Sequence, residues 1–97
     1  MRYIIKRQAK YKIAMFYQNV IRKYRHTYSL ELMDKNIDEA LDAMFQIEQS
    51  LLRRQPTVER WQKAGWHMAN AGKWYYAYTI SGDTITIEDA CHEQNMH

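Results

Sequence analysis

Lys73-Trp74-Tyr75-Tyr76-Ala77-Tyr78-Thr79-Ile80-Ser81-Gly82-Asp83-Thr84-Ile85-Thr86-Ile87-Glu88-Asp89-Ala90-Cys91-His92 is the stretch on which the fold turns. Its period is two. Trp74, Tyr76, Tyr78 and Ile80 point one way, and Lys73, Tyr75, Ala77 and Thr79 the other, as on a pleated strand. Ser81-Gly82-Asp83 reads as a hairpin turn. Beyond it Ile85, Ile87 and Cys91 alternate with Thr84, Thr86, Glu88, Ala90 and His92. Trp66-His67-Met68 reads as one more strand before the turn at Asn70-Ala71-Gly72. The bulky set is expected to pack inward and the smaller, more polar set to line an open face.

Upstream the period changes. Tyr3-Ile4-Ile5, between Arg2 and Lys6, reads as a short edge strand. Ala9, Ile13, Phe16, Tyr17, Val20, Ile21 and Tyr24 then recur at three and four, the spacing of one helical face. His26-Thr27-Tyr28 breaks that helix, and Ser29 is placed to cap a second. The second carries the stripe Leu30, Met33, Ile37, Leu41, Met44, Ile47 and Leu51, widened by Phe45 and Leu52. Pro56 ends it. Such a helix would be about 39 Å long at 1.5 Å per residue. It would outrun the first helix and have to lie partly on the sheet. The expected fold class is therefore α+β in two layers: strand, two-helix hairpin, antiparallel β-meander.

The chain has 97 residues, three Gly, one Pro and 46% hydrophobic residues, which suits one domain, residues 1–97, with a packed core. Cys91 is the one cysteine, so neither an internal disulfide nor a cysteine zinc cage can form, and a reducing cytoplasm is expected. The longest apolar runs, Ile13 to Tyr17 among them, are far below the roughly 20 residues of a membrane span, and the N-terminus lacks a signal-peptide apolar region.

The net charge of +3 conceals an asymmetry. Residues 1–30 hold eight Lys and Arg and no carboxylate, whereas residues 31–97 hold six basic and eleven acidic side chains. A basic end implies an anionic partner, nucleic acid or an acidic protein, or else a solvated helix face.

Element order and the 73–92 stretch together resemble the RelE/ParE superfamily of toxins from type II toxin–antitoxin systems. The shared pattern is a basic residue, an aromatic strand, a Gly/Asp hairpin, an apolar strand and a late His. The resemblance implies an antiparallel sheet whose last strand pairs with the first, a cytoplasmic growth inhibitor, and a cognate antitoxin as partner. One mode of the family cleaves mRNA on the translating ribosome and the other inhibits DNA gyrase. The cleaving mode would use Lys73 at the family's phosphate-binding position, His92 as proton carrier and the Tyr75 hydroxyl.

Lys10 and Arg22 on the first helix, and Arg60 and Lys63 in a 57–64 loop, are the candidate contacts to nucleic acid or antitoxin. Phosphate cleavage needs several convergent cations, yet the last fifteen residues hold Asp83, Glu88, Asp89 and Glu93 and no Lys or Arg. The gyrase-directed reading is therefore favoured over the endonuclease, with a non-toxic binding module on the same scaffold as the third. No cofactor is expected. Nor is a metal, since His92, His97, Glu88 and Glu93 match no common ligand spacing. A homodimer is compatible with all three readings.

Overall fold

The computed structural model describes residues 2–47 and 56–95. The chain forms β1 (Arg2–Ile5), α1 (Arg7–Lys23), α2 (Leu30–Met44), α3 (Glu59–Ala64), β2 (His67–Ala71), β3 (Trp74–Ser81) and β4 (Thr84–His92), then a 3-10 turn at Glu93–Asn95. The strands make one sheet in the order β1-β4-β3-β2. The class is α+β, as expected, and β1 does pair with the last strand. It does so in parallel, from Arg2 opposite Thr84 to Ile5 opposite Ile87, while the other two pairings are antiparallel. The sheet is therefore mixed rather than antiparallel. Parallel neighbours need a long crossover, and the α1–α2 hairpin lies in that connection.

α1 buries Ala9, Ile13 and Tyr17, and α2 buries Ala40 and Met44. These pack with Ile47 against Trp74, Tyr76, Tyr78, Ile85, Ile87 and Ala90 in the main core. The buried Tyr76 hydroxyl donates to the Ala40 carbonyl at 2.7 Å, and the Trp74 indole N–H donates to the Tyr17 hydroxyl at 3.1 Å. Burial holds both phenols protonated, with pKa values above the ordinary one.

Ser29 caps α2 as read, its hydroxyl accepting from the Leu32 N–H at 3.1 Å. The helix does not run on toward Pro56. It ends at Met44, where Phe45 and Gln46 bond back only three residues, to Asp42 and Ala43. The Tyr3 hydroxyl donates to the Phe45 carbonyl at 3.1 Å, and the two rings meet edge to face. This contact ties the end of α2 to β1. Leu51 and Leu52 of the expected stripe lie outside the described residues. At 15 residues α2 is about 22 Å long. It reaches the sheet through its buried Ala40 and Met44, not by outrunning α1.

Residues 57–64, expected as a loop, contain α3. Its exit is a Schellman turn: Trp66 N–H bonds the Trp61 carbonyl, Gly65 N–H the Gln62 carbonyl, and Gly65 sits at a φ of 75°, where glycine carries no Cβ penalty. Trp61, fully buried, packs with Val58, Met68 and Ala77 on the sheet face opposite α1 and α2. The face read as open is half covered.

Candidate functional site

One extra residue in β4 decides where the site residues go. Ala77 faces Asp89 while Tyr78 faces Ile87, so Glu88 has no residue opposite it. This β-bulge shifts the alternation by one. Before it, Ile85 and Ile87 point to the helices; after it, Ala90 and His92 do, and Asp89 and Cys91 turn to the α3 side.

His92 is therefore not on an open face. It is 5% exposed. Its ring lies on that of Phe16, centroids 4.0 Å apart, and meets Trp74 edge-on at 5.2 Å. The Gln94 N–H donates to Nδ1 at 3.2 Å, so the neutral ring carries its proton on Nε2. Burial lowers its pKa below the ordinary histidine value; the nearby Lys73 charge pushes the same way and Glu93 opposes.

Lys73 and His92 do meet, on the wall of a groove of about 530 Å³. α1 contributes Phe16, Tyr17 and Val20 to it, and α2 contributes Glu39, Ala40 and Ala43. Lys73 follows Gly72, whose φ of 63° forms the β2–β3 turn, and its carbonyl accepts from the Glu93 N–H at 2.9 Å. Tyr75 is not part of this groove. It pairs with Cys91 across the strands and packs with the Trp61 cluster on the opposite side of the sheet. The three residues that the endonuclease reading needs on one face are thus divided between two.

The other predicted contacts are also separated. Lys10 and Arg22 are both exposed on α1, twelve residues apart and so about 18 Å along the axis. Arg60 and Lys63 are on α3 and already engaged. Arg60 Nε donates to Asp89 at 3.3 Å, and Lys63 pairs with Glu59 at 3.1 Å.

The residue that the sequence reading passed over is Asp89. Its carboxylate is fully buried and receives the Trp61 indole N–H at 2.8 Å, the Arg60 guanidinium, the Lys12 ammonium at 3.1 Å and its neighbour Ala90's N–H at 2.8 Å. Burial alone would raise its pKa; the bonds from Trp61, Ala90 and Lys12 outweigh that and hold it below the ordinary carboxylate value. Glu88, the bulge residue, pairs with Lys6 at 3.0 Å and accepts from the Thr79 hydroxyl at 2.9 Å. Glu59 and Lys63 at i,i+4, followed by Gly65, were the available sign of α3; nothing comparable marks Asp89 as its anchor.

Cys91 lies on the α3 side rather than with the inward set. Burial raises its thiol pKa, which favours the protonated thiol. A second, shallower groove of about 370 Å³ separates Lys12, Met15 and Phe16 of α1 from Arg60 and Cys91. Among the described residues no three His, Cys, Asp or Glu side chains gather as metal ligands, and no helix is long and apolar enough to cross a membrane.

Compared with known proteins, the chain matches no family model and no curated protein.

Proposed function

We propose that this chain is a growth-inhibiting toxin of RelE/ParE type, kept silent by a cognate antitoxin and directed at DNA gyrase rather than at mRNA. The observation that carries the preference is the division of Lys73, His92 and Tyr75 between two faces. A general acid–base histidine must reach the proton it moves, and here one ring face is covered by Phe16 while Nδ1 is occupied. The α+β order of elements, with the last strand paired to β1, is compatible with the resemblance on which the toxin reading rests. A scaffold alone does not fix activity, so the reading stands on its test.

The test is controlled induction of the chain alone in a bacterial host, with plasmid supercoiling by purified gyrase measured in parallel. Growth arrest with a DNA damage response, and loss of supercoiling activity with the pure protein, is the expected result. Arrest with new mRNA ends would transfer the assignment to the endonuclease. Normal growth with soluble, folded protein and unaffected gyrase would leave a binding module without toxicity.

A further inference from the structure

We propose that the solvent face of α1, with the residues flanking it, is a binding surface for single-stranded nucleic acid held through its phosphates. This is independent of the function proposed above. Residues 1–30 carry eight cations and no carboxylate, and the fold commits two of them: Lys6 to Glu88 and Lys12 to Asp89. Arg2, Arg7, Lys10, Arg22, Lys23 and Arg25 are all exposed, and among the described residues none pairs with a carboxylate. Four of these six are arginines, whose planar fork matches a phosphate.

The six form two groups, one at each end of α1, separated by about 18 Å between Lys10 and Arg22. One small anion cannot engage both; an extended polyanion can. Two tyrosines stand exposed among them. Tyr11 is 61% exposed, and Tyr24, 51% exposed, has the Lys23 ammonium 5.5 Å from its ring centroid. Open aromatic rings interleaved with cations are what unpaired bases stack on.

Charge alone would also admit an acidic protein, or the exposed Glu31, Asp34, Asp38 and Asp42 on α2 of a second copy. The energetics separate these occupants. Exposed ion pairs between proteins contribute about 0–1 kcal/mol each, and a stable protein interface needs a desolvated anchor at its centre. Tyr24 borders the larger of the two grooves described above and Tyr11 the smaller, but none of the six cations lines either one. A nucleic acid needs no such anchor, because each phosphate met by a cation releases condensed counterions.

The experiment is fluorescence anisotropy of the full chain with labelled poly(U), poly(dT), a short duplex and polyglutamate across a salt series. With about four phosphates engaged, log K should fall against log salt with a slope of about −3, at roughly −0.7 per phosphate on a single strand. R7Q/K10Q and R22Q/K23Q should each flatten that slope by about 1.4; K35Q, on α2, should leave it unchanged. All five side chains are exposed, and circular dichroism would confirm that the variants remain folded. Absent or salt-insensitive binding to both homopolymers, or unchanged slopes in both double variants, would overturn the proposal. Tighter binding to polyglutamate would overturn it in favour of an acidic protein, and tighter binding to the duplex would overturn the single-strand preference.

Discussion

Phe16 and His92 lie ring on ring, 4.0 Å between centroids and 12° from parallel. That contact ties the middle of α1 to the last residue of β4 and makes the late histidine part of the core. A charged imidazolium there would lose its hydration, and Lys73 nearby adds repulsion.

The folded chain therefore holds His92 neutral, and the sign of the pH dependence follows. The unfolded histidine has a pKa of about 6.5 and the folded one lies below it. His92's contribution is whole above pH 6.5 and is lost as the pH falls through the folded value. Thermal unfolding at pH 7.5 and pH 5 should show a drop in Tm on acidification that is smaller in His92→Phe. An equal drop in the two proteins would remove His92 as its source.

The Asp89 cluster gives a second, separable acid effect. Its folded pKa lies below the unfolded value of about 3.9, so its stabilisation is complete above about pH 4 and fades below it. Asp89→Ala leaves the Lys12 ammonium and the Trp61 N–H without their acceptor, and should cost about 3–5 kcal/mol in urea unfolding. Lys12→Met should cost about 1 kcal/mol or less, because Lys12 is one-third exposed and Arg60 still faces the carboxylate. Equal losses in the two variants would mean that Asp89 is not the centre of the cluster.

The two hairpins could be read in advance because Gly72 and Gly82 take positive φ at turns flanked by alternating apolar residues. Both helix starts were equally readable, from the switch in period and from Ser29. The bulge was not. One unpaired Glu88 leaves no mark in composition, yet it exchanges the faces of His92 and Cys91. A strict alternation carried from Ile85 to His92 is correct for its first half and inverted for its second. The end of α2 was hidden for a related reason. Ile47 is still buried beyond the turn at Phe45 and Gln46, so the apolar periodicity carries across a break that it does not mark.

Tyr76 offers a test of how the two layers are joined. Its hydroxyl, fully buried, is satisfied by the Ala40 carbonyl of α2. Tyr76→Phe removes the donor while keeping the ring, and should cost about 1 kcal/mol in chemical denaturation with little change in m-value. A much larger loss would mean that the hydroxyl orders more of α2 than this one bond.

Lys73 and Tyr75 flank Trp74 in sequence, but only Lys73 borders the groove at His92, while Tyr75 packs against the Trp61 cluster. Their separation argues against a joint action on one phosphate. If growth inhibition works by binding a protein target, Lys73→Gln and Tyr75→Phe should each retain arrest on induction, and no new RNA ends should accompany it. Lys73 is exposed in a turn and Tyr75→Phe conserves the ring, so both variants should fold. Loss of arrest in both, with unchanged circular dichroism, would restore a shared chemical role that this arrangement of faces argues against.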